Sequence, residues 1–318
     1  MNKEDLRIVF LGTPDFAAYS LEKIHRAGYN IVGVVTMPDK PAGRGHKMLH
    51  SPVKKYAEAA GLKLMQPVKL KDPAFVDELR SLNADLFIVI AFRMLPEIVW
   101  SMPRLGTFNL HASLLPRYRG AAPINRAVMN GDTETGVTTF FLKHEIDTGD
   151  VIAQEKIAIG PDDNVGDVHD RLMVLGADLT LKTIEDILND RLETIPQSEM
   201  TEYEYCEAPK IFKETCRIDW SRPAVEVHNH VRGLSPYPGA WTTLDGVGDV
   251  KIFETAPIQS ALALVPGEIA IDGKAMLVGC GEGKAIEIKS VQVPGKRRMS
   301  VHDYLLGARD IASGMRFV

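Results

Sequence analysis

Asp85-Leu-Phe-Ile-Val-Ile-Ala91 holds five large apolar side chains in a row with no helical period. A run of that kind reads as a strand buried on both faces, since a strand with one wet face would alternate. The same signature recurs at Leu6 to Leu11, which Gly12-Thr-Pro14 closes as a turn, and at Ile31 to Val35. Between these runs the spacing turns helical. Phe16, Tyr19, Leu21 and Ile24 mark a helix over Asp15 to Ala27, ended by Gly28. Further helices are expected near Val53 to Ala60 and Pro73 to Leu82. Strands alternating with helices imply a mostly parallel sheet covered on both faces, an α/β fold of Rossmann-like type. Ligands of such sheets collect beyond the carboxyl ends of the strands.

Outward from this core, Gly106 to His111 is another strand whose tail is polar. Ala121 to Asn130 reads as a helix, Gly136 to Leu142 as a strand, and Val165 to Asn189 as a long amphipathic helix. After about Pro196 the pattern changes. Thr201 to Trp220 is polar and reads as a linker. Beyond a short helix at Ala224 to Gly233 come brief β-rich segments punctuated by glycine. They suggest a small barrel, with an OB-like form as one candidate. The expected division is therefore 1–200, a linker over 201–220, and a β-rich domain over 221–318.

Composition narrows the function classes. The 318 residues are 45% hydrophobic and 25% charged, an ordinary folded balance. No apolar run is long enough for a bilayer, and Met1 to Arg7 has no secretion-signal core, so a cytoplasmic location is expected. Three scattered cysteines make neither a disulfide framework nor a metal knuckle, and no metal is expected. Net charge is -5, against a protein that coats nucleic acid non-specifically. The charge is uneven, however: Lys40, Arg44, Lys47, Lys54 and Lys55 face Asp39 alone, and Arg104, Arg117, Arg119 and Arg126 have no acid between them. Gly12-Thr-Pro14 is not a dinucleotide fingerprint, so a nicotinamide is unsupported. His228 and His230, two apart on a helix, point to different faces and read as packing or surface residues.

Two stretches could carry chemistry. Asn109 and His111 alternate on one strand, so both emerge on one face at the sheet's ligand end. By spacing alone they either bond the following loop or serve a ligand. Asp147-Thr-Gly149 makes a sharp turn after the strand through Leu142. Asp147 either shapes that turn or faces the crevice beside His111, where a carboxylate would orient the imidazole.

Taken together, Asn109-x-His111-x-Ser113-Leu-Leu-Pro116 and Asp147-Thr-Gly-Asp150 resemble the formyltransferase family that uses 10-formyltetrahydrofolate. Similarity to its tRNA-directed branch extends through Gly12 to Phe16, Pro38-Asp-Lys-Pro-Ala-Gly-Arg-Gly45, Ser51 to Lys54, Gly120 to Ile124, Gly131 to Gly136 and Arg217-Ile-Asp-Trp220. Beyond about Gly246 the likeness is one of layout. The resemblance implies a catalytic trio of Asn109, His111 and Asp147. It implies a folate site lined by the backbone of Ser113, Leu114, Leu115 and Pro116, with Ile90, Ala91 and Phe92 in the wall of the pterin pocket. The Pro38 to Gly45 loop would enter an acceptor stem with Arg44 as its main contact, helped by Lys210 and Lys213. The expected partner is initiator methionyl-tRNA and the expected state a monomer. Two departures stand out: Glu145 replaces the usual Gly two residues before the aspartate, and Ala91-Phe-Arg-Met-Leu95 replaces the common Ala-Tyr-Gly form.

Those residues suit an attack by an amine on a formyl carbon. Asn109 and a protonated His111 would donate to the developing oxyanion, while Asp147 holds His111 and helps move the proton. A formyltransferase acting on a small amine, such as an amino sugar or purine precursor, would use the same trio. So would a folate hydrolase that lets water replace the amine. The Pro38–Gly45 loop and the added β-rich domain favour tRNA over a small amine, while the acidic first domain and the intact trio argue against a non-catalytic tRNA-binding module.

Overall fold

A computed structural model of the protein describes residues 2–42, 47–258, 264–308 and 311–318. The chain groups into two compact units. The first comprises Met1–Gly120, Gly136–Ile157 and Asp170–Glu207, and the second Ala121–Thr135, Ala158–His169 and Ala208–Val318. Two short stretches ahead of residue 200 thus group with the second unit, a relation that no change in composition marks.

The first half of the chain runs β1 (Arg7–Gly12), α1 (Asp15–Arg26), β2 (Asn30–Val35), β3 (Lys40–Ala42), β4 (Lys47–Leu49), α2 (Pro52–Ala59), β5 (Leu64–Met65), α3 (Pro73–Ser81), β6 (Leu86–Ile90), α4 (Glu97–Trp100), β7 (Thr107–His111) and β8 (Arg117–Gly120). It continues with α5 (Pro123–Met129), β9 (Glu134–Phe141), β10 (Val151–Ala158), α6 (Val165–Leu188) and β11 (Cys206–Ala208). The seven-stranded sheet has the order β10-β9-β7-β6-β1-β2-β5. β1 pairs parallel with β2 and β6, and β6 with β7, whereas β9 runs antiparallel to β7. The expectation of a mostly parallel sheet therefore holds, with an antiparallel margin.

The apolar runs fill this sheet because both of its faces are covered, so successive side chains are buried whichever face they take. Ile8, Phe10 and Leu11 are fully buried, as are Leu86, Ile88 and Ile90. Leu79 and Phe87 join Val9, Val35 and Phe75 in one cluster. Local signals start the helices: Ser51 Oγ accepts from the amide of Lys54 at 3.0 Å, and Asp72 accepts from Ala74 at 3.0 Å, each with proline in the first turn. Gly12 is forced by space. A Cβ there would lie 2.6 Å from that of Ala17 and 3.0 Å from the carbonyl oxygen of Ile90. Chain order reverses at β1, with β2 on one side and β6 on the other, so the ligand crevice opens there.

In the second unit α7 (Ala224–Arg232) precedes β12 (Ala240–Leu244), β13 (Gly248–Ile258), β14 (Ile269–Asp272), β15 (Ala275–Gly279), β16 (Ala285–Gln292), β17 (Met299–Ser300) and α8 (Val301–Gly307). The strands are antiparallel in the order β12-β13-β16-β15-β14, with β17 on β16. Phe317 bridges Leu244 at the end of β12, and Arg316 bridges Glu268 beside β14. The last residues thus join both outer strands and close the sheet into the small barrel expected. Cys216, Ile218 and Trp220, expected in a linker, are buried in this unit's core. The polar neighbours that suggested a linker lie on the outside of the same short segment.

His228 and Arg232, one turn apart on α7, hold the Gly160–Asp163 turn within this unit. His228 lies 3.1 Å from the carbonyl of Pro161 and 3.0 Å from Thr255 Oγ1, and Arg232 donates to the carbonyls of Gly160 and Asp163. Burial lowers the pKa of His228, and that of His230 as well. His228 is a packing residue, as its spacing suggested.

Candidate active site

Three loops that follow different strands of the first unit meet at one place. β7 brings Asn109 and His111 to the crevice end of the sheet, opposite Phe140 and Thr138 of β9. His111 is buried and Asn109 half-buried. Among the described residues the Asn109 carboxamide has no hydrogen-bond partner, so its donors remain available. The His111 ring stands edge-on to Phe140, with centroids 6.5 Å apart. Its Nε2 lies 2.8 Å from the carbonyl oxygen of Tyr118. A carbonyl can only accept, so Nε2 carries a proton and, in the neutral ring, Nδ1 does not.

Asp147 comes from the turn after β9, with φ at +55°. Its Oδ2 accepts from the Gly120 amide at 3.0 Å and lies 3.8 Å from His111 Nδ1. The expected neighbours are therefore together. The separation exceeds a hydrogen bond, however, so Tyr118 rather than Asp147 fixes the imidazole tautomer. Gly149 lets the turn lie on β9: a Cβ there would sit 1.5 Å from the carbonyl oxygen of Phe141.

A second layer holds Asp147, and sequence reasoning missed it. Gln197, 5% exposed, donates to the carbonyls of Asp147 (2.9 Å) and Gly149 (2.8 Å). Its own oxygen accepts from Arg119 Nε and Nη2 at 2.9 and 2.6 Å. Gln197 sits in a polar, aperiodic stretch of sequence that carried no signal of this role.

The Ser113–Pro116 segment is tied to the neighbouring strands. Thr138 Oγ1 donates to the Ser113 carbonyl (2.6 Å) and accepts from the Leu115 amide (3.1 Å), and Gln154 donates to the Leu115 carbonyl (2.8 Å). Ser113, Leu114, Leu115 and Pro116 are all buried. The Ser113 carbonyl and the Leu115 amide and carbonyl are thus engaged by β9 and β10. Ile90 is buried at the end of β6, Ala91 is exposed with φ at +46°, and Phe92 is half-buried. The departures fall beside these groups. Glu145 is exposed and offers its carbonyl to Thr148 Oγ1 (3.1 Å), while Arg93 reaches the carbonyls of Pro67 and Val68.

Arg44 lies outside the described residues. Lys210 and Lys213 are exposed on the second unit, over the rings of Phe212 (5.6 Å) and Trp241 (5.0 Å), and Lys213 lies 3.4 Å from Asp249. Among the described residues no cluster of His, Cys, Asp and Glu could hold a metal, and no helix is long and apolar enough to cross a membrane.

The pattern of the formyl transferase family matches residues 6–184, and that of the formyl transferase C-terminal domain matches residues 210–309. The chain belongs to the formyl transferase family. It is 58% identical over 314 residues to a methionyl-tRNA formyltransferase of Bacteroides thetaiotaomicron, covering 97% of this chain and 98% of that one. To the methionyl-tRNA formyltransferase of Flavobacterium johnsoniae it is 48% identical, with 96% of each covered. Its fold is also similar to solved structures of lower identity. One is an N-formyltransferase from Helicobacter canadensis in complex with folinic acid and dTDP-3-aminofucose, with a TM-score of 0.67 at 20% identity, covering 89% of this chain and 98% of that one. Another is HypX from Aquifex aeolicus with tetrahydrofolic acid, with a TM-score of 0.63 at 21% identity, covering 95% of this chain and 47% of that one. The expected enzyme class and fold are thereby established.

Proposed function

We propose that this formyl transferase moves the formyl group of 10-formyltetrahydrofolate to the amino group of initiator methionyl-tRNA, as a cytoplasmic monomer. The relatives that match it nearly end to end are named methionyl-tRNA formyltransferases. The observation that carries the chemistry is the unpartnered Asn109 carboxamide on the same strand face as His111, with Asp147 Oδ2 3.8 Å from His111 Nδ1.

The amine attacks the formyl carbon, a tetrahedral intermediate forms, and negative charge gathers on the formyl oxygen. Asn109 donates to that oxygen, and so does His111 through Nδ1 when the ring is protonated. Asp147, whose Oδ2 is held by the Gly120 amide, stabilises the imidazolium across the 3.8 Å gap. Collapse breaks the bond from the carbonyl carbon to folate N10. The proton that the amine loses passes to N10, with Asp147 and intervening water as the route. An α-amino group titrates near about 7.7–8.0, so much of the acceptor is neutral without a strong base.

Ile90, Ala91 and Phe92 wall the pterin, and the segment of Ser113, Leu114, Leu115 and Pro116 lines the folate site beside the trio. Arg44, Lys210 and Lys213 take phosphates of the tRNA, a role suited to cations on flexible stems. The experiment is direct: purified protein is incubated with 10-formyltetrahydrofolate and charged tRNA. Formyl label on initiator methionyl-tRNA, and none on free amino sugars or uncharged tRNA, is expected. Label on an amino sugar instead would replace this reading with the small-amine one.

A further inference from the structure

Three loops on the crevice side of the first unit are tied by a line of side-chain bonds. Arg93, just after β6, donates from Nη1 to the Val68 carbonyl at 2.8 Å and from Nη2 to that of Pro67. Those carbonyls follow β5, which the sheet order separates from β6 by β1 and β2. The three strand spacings between β6 and β5 amount to about 14 Å at the usual separation, which the two loops and the Arg93 side chain close together. The next residue back, Gln66, uses one nitrogen twice, donating to the Met37 carbonyl (2.9 Å) and to Asp39 Oδ1 (3.0 Å) after β2.

Asp39 then completes the line. Its other oxygen takes Lys54 Nζ from α2 and lies 3.0 Å from His50 Nδ1. Asp39 immediately precedes β3 and His50 immediately follows β4, while Lys40 and Leu49 are paired across the hairpin. The two residues that bracket the hairpin thus lie side by side at its root, with Asp39 held by Lys54 and Gln66. Lys54 is only 8% exposed, so this arrangement rests on a shielded charge rather than a surface contact.

We propose that Arg93, Gln66 and Asp39 are positioning residues that form a polar strap over the carboxyl ends of β6, β5 and β2, holding the β3–β4 hairpin in register with the Ile90–Phe92 wall. The proposal rests on the functional reading above, in which the hairpin meets the acceptor arm and the wall meets the pterin. The strap makes a change on the folate side felt on the tRNA side. It also gives a reason for Arg93 in this chain: the long side chain reaches a loop that a glycine at this place could not.

The test uses Arg93→Met, Gln66→Met and the double variant, with kcat, the KM for each substrate and Tm. Neither substituted residue belongs to the hairpin. Loss of one hydrogen bond of this kind corresponds to about a three- to tenfold change in an equilibrium. Each single variant is expected to raise the KM for charged tRNA by about that factor, and the double variant by little more, since links in one chain fail together. A KM for tRNA within about twofold of wild type in Arg93→Met, or singles that multiply in the double, overturns the strap. Hydrogen exchange supplies a readout free of catalysis. Amides of Lys40–Ala42 and Lys47–Leu49 should exchange faster in Arg93→Met, and unchanged rates would also overturn the proposal. A wild-type protein that never formylates tRNA would defeat the functional reading, while the exchange measurement would still judge the strap.

Discussion

Gln197 and Asp147 are joined through the backbone: the Gln197 carboxamide donates 2.9 Å to the Asp147 carbonyl, fifty residues away in sequence. All of its capacity is used, with two carbonyls receiving its hydrogens and Arg119 donating twice to its oxygen. A buried amide in that state fixes a turn, and this turn carries the carboxylate next to His111.

Gln197→Glu puts an acceptor where two carbonyls need a donor. Displacing Asp147 by about 1 Å can cost about a hundredfold in rate. The expected outcome is a fall in kcat of about ten- to a hundredfold, with the KM for 10-formyltetrahydrofolate nearly unchanged. Steady-state kinetics beside a thermal melt would check it, and a normal kcat would remove Gln197 from this role.

Asn109→Ala and His111→Ala each remove one donor to the developing oxyanion. Each should lower kcat by about a hundred- to a thousandfold. Binding of tRNA, followed by filter retention, should stay near wild type. An Asn109→Ala enzyme with full turnover would mean that the carboxamide faces something other than the formyl oxygen.

Asp39 should govern stability in acid. Its hydrogen bonds with Lys54, then Gln66, hold its carboxyl at about 2, below the ordinary 3.8. The folded state therefore binds fewer protons than the unfolded one, and stability present above about pH 4 is lost as pH falls toward 2. Asp39→Asn should be less stable at neutral pH, since Lys54 loses its partner, yet show a flatter loss over that window. Urea midpoints between pH 5 and pH 2 report this, and parallel curves would reject it.

His228 acts at higher pH and with a related sign. Burial lowers its pKa from 6.5, so the unfolded chain takes up a proton that the folded chain resists. Stability should fall as pH drops below about 6.5, and His228→Gln should lessen that slope. His230, also lowered by burial, would account for slope that remains. A variant with an unaltered pH dependence from 7 to 5 would show that His228 is not the titrating group.

The strands read from continuous apolar runs are present, because burial on both faces leaves its mark on every residue of the run. Elements without such a mark were not legible. β3 and β4 are three residues each, β8 is a short polar strand, and β10 follows an alternation too weak to separate from loop. The Ser113–Pro116 segment shows the same limit. Its motif was visible in sequence, but the bonds from Thr138 and Gln154 that occupy its backbone come from strands distant in sequence.

Local order along the chain by itself determined the parallel core, the β-rich second part, and the placing of Asn109 and His111 on one strand face. Side-chain period depends only on neighbours in sequence and on which face is dry. Tertiary structure alone decided that Tyr118 fixes the His111 ring, that Gln197 carries the Asp147 turn, and that Arg93 reaches the loop after β5. Those relations depend on where loops from separate strands end in space, and a distance of 2.8 or 3.8 Å between such loops has no signature in the spacing of residues.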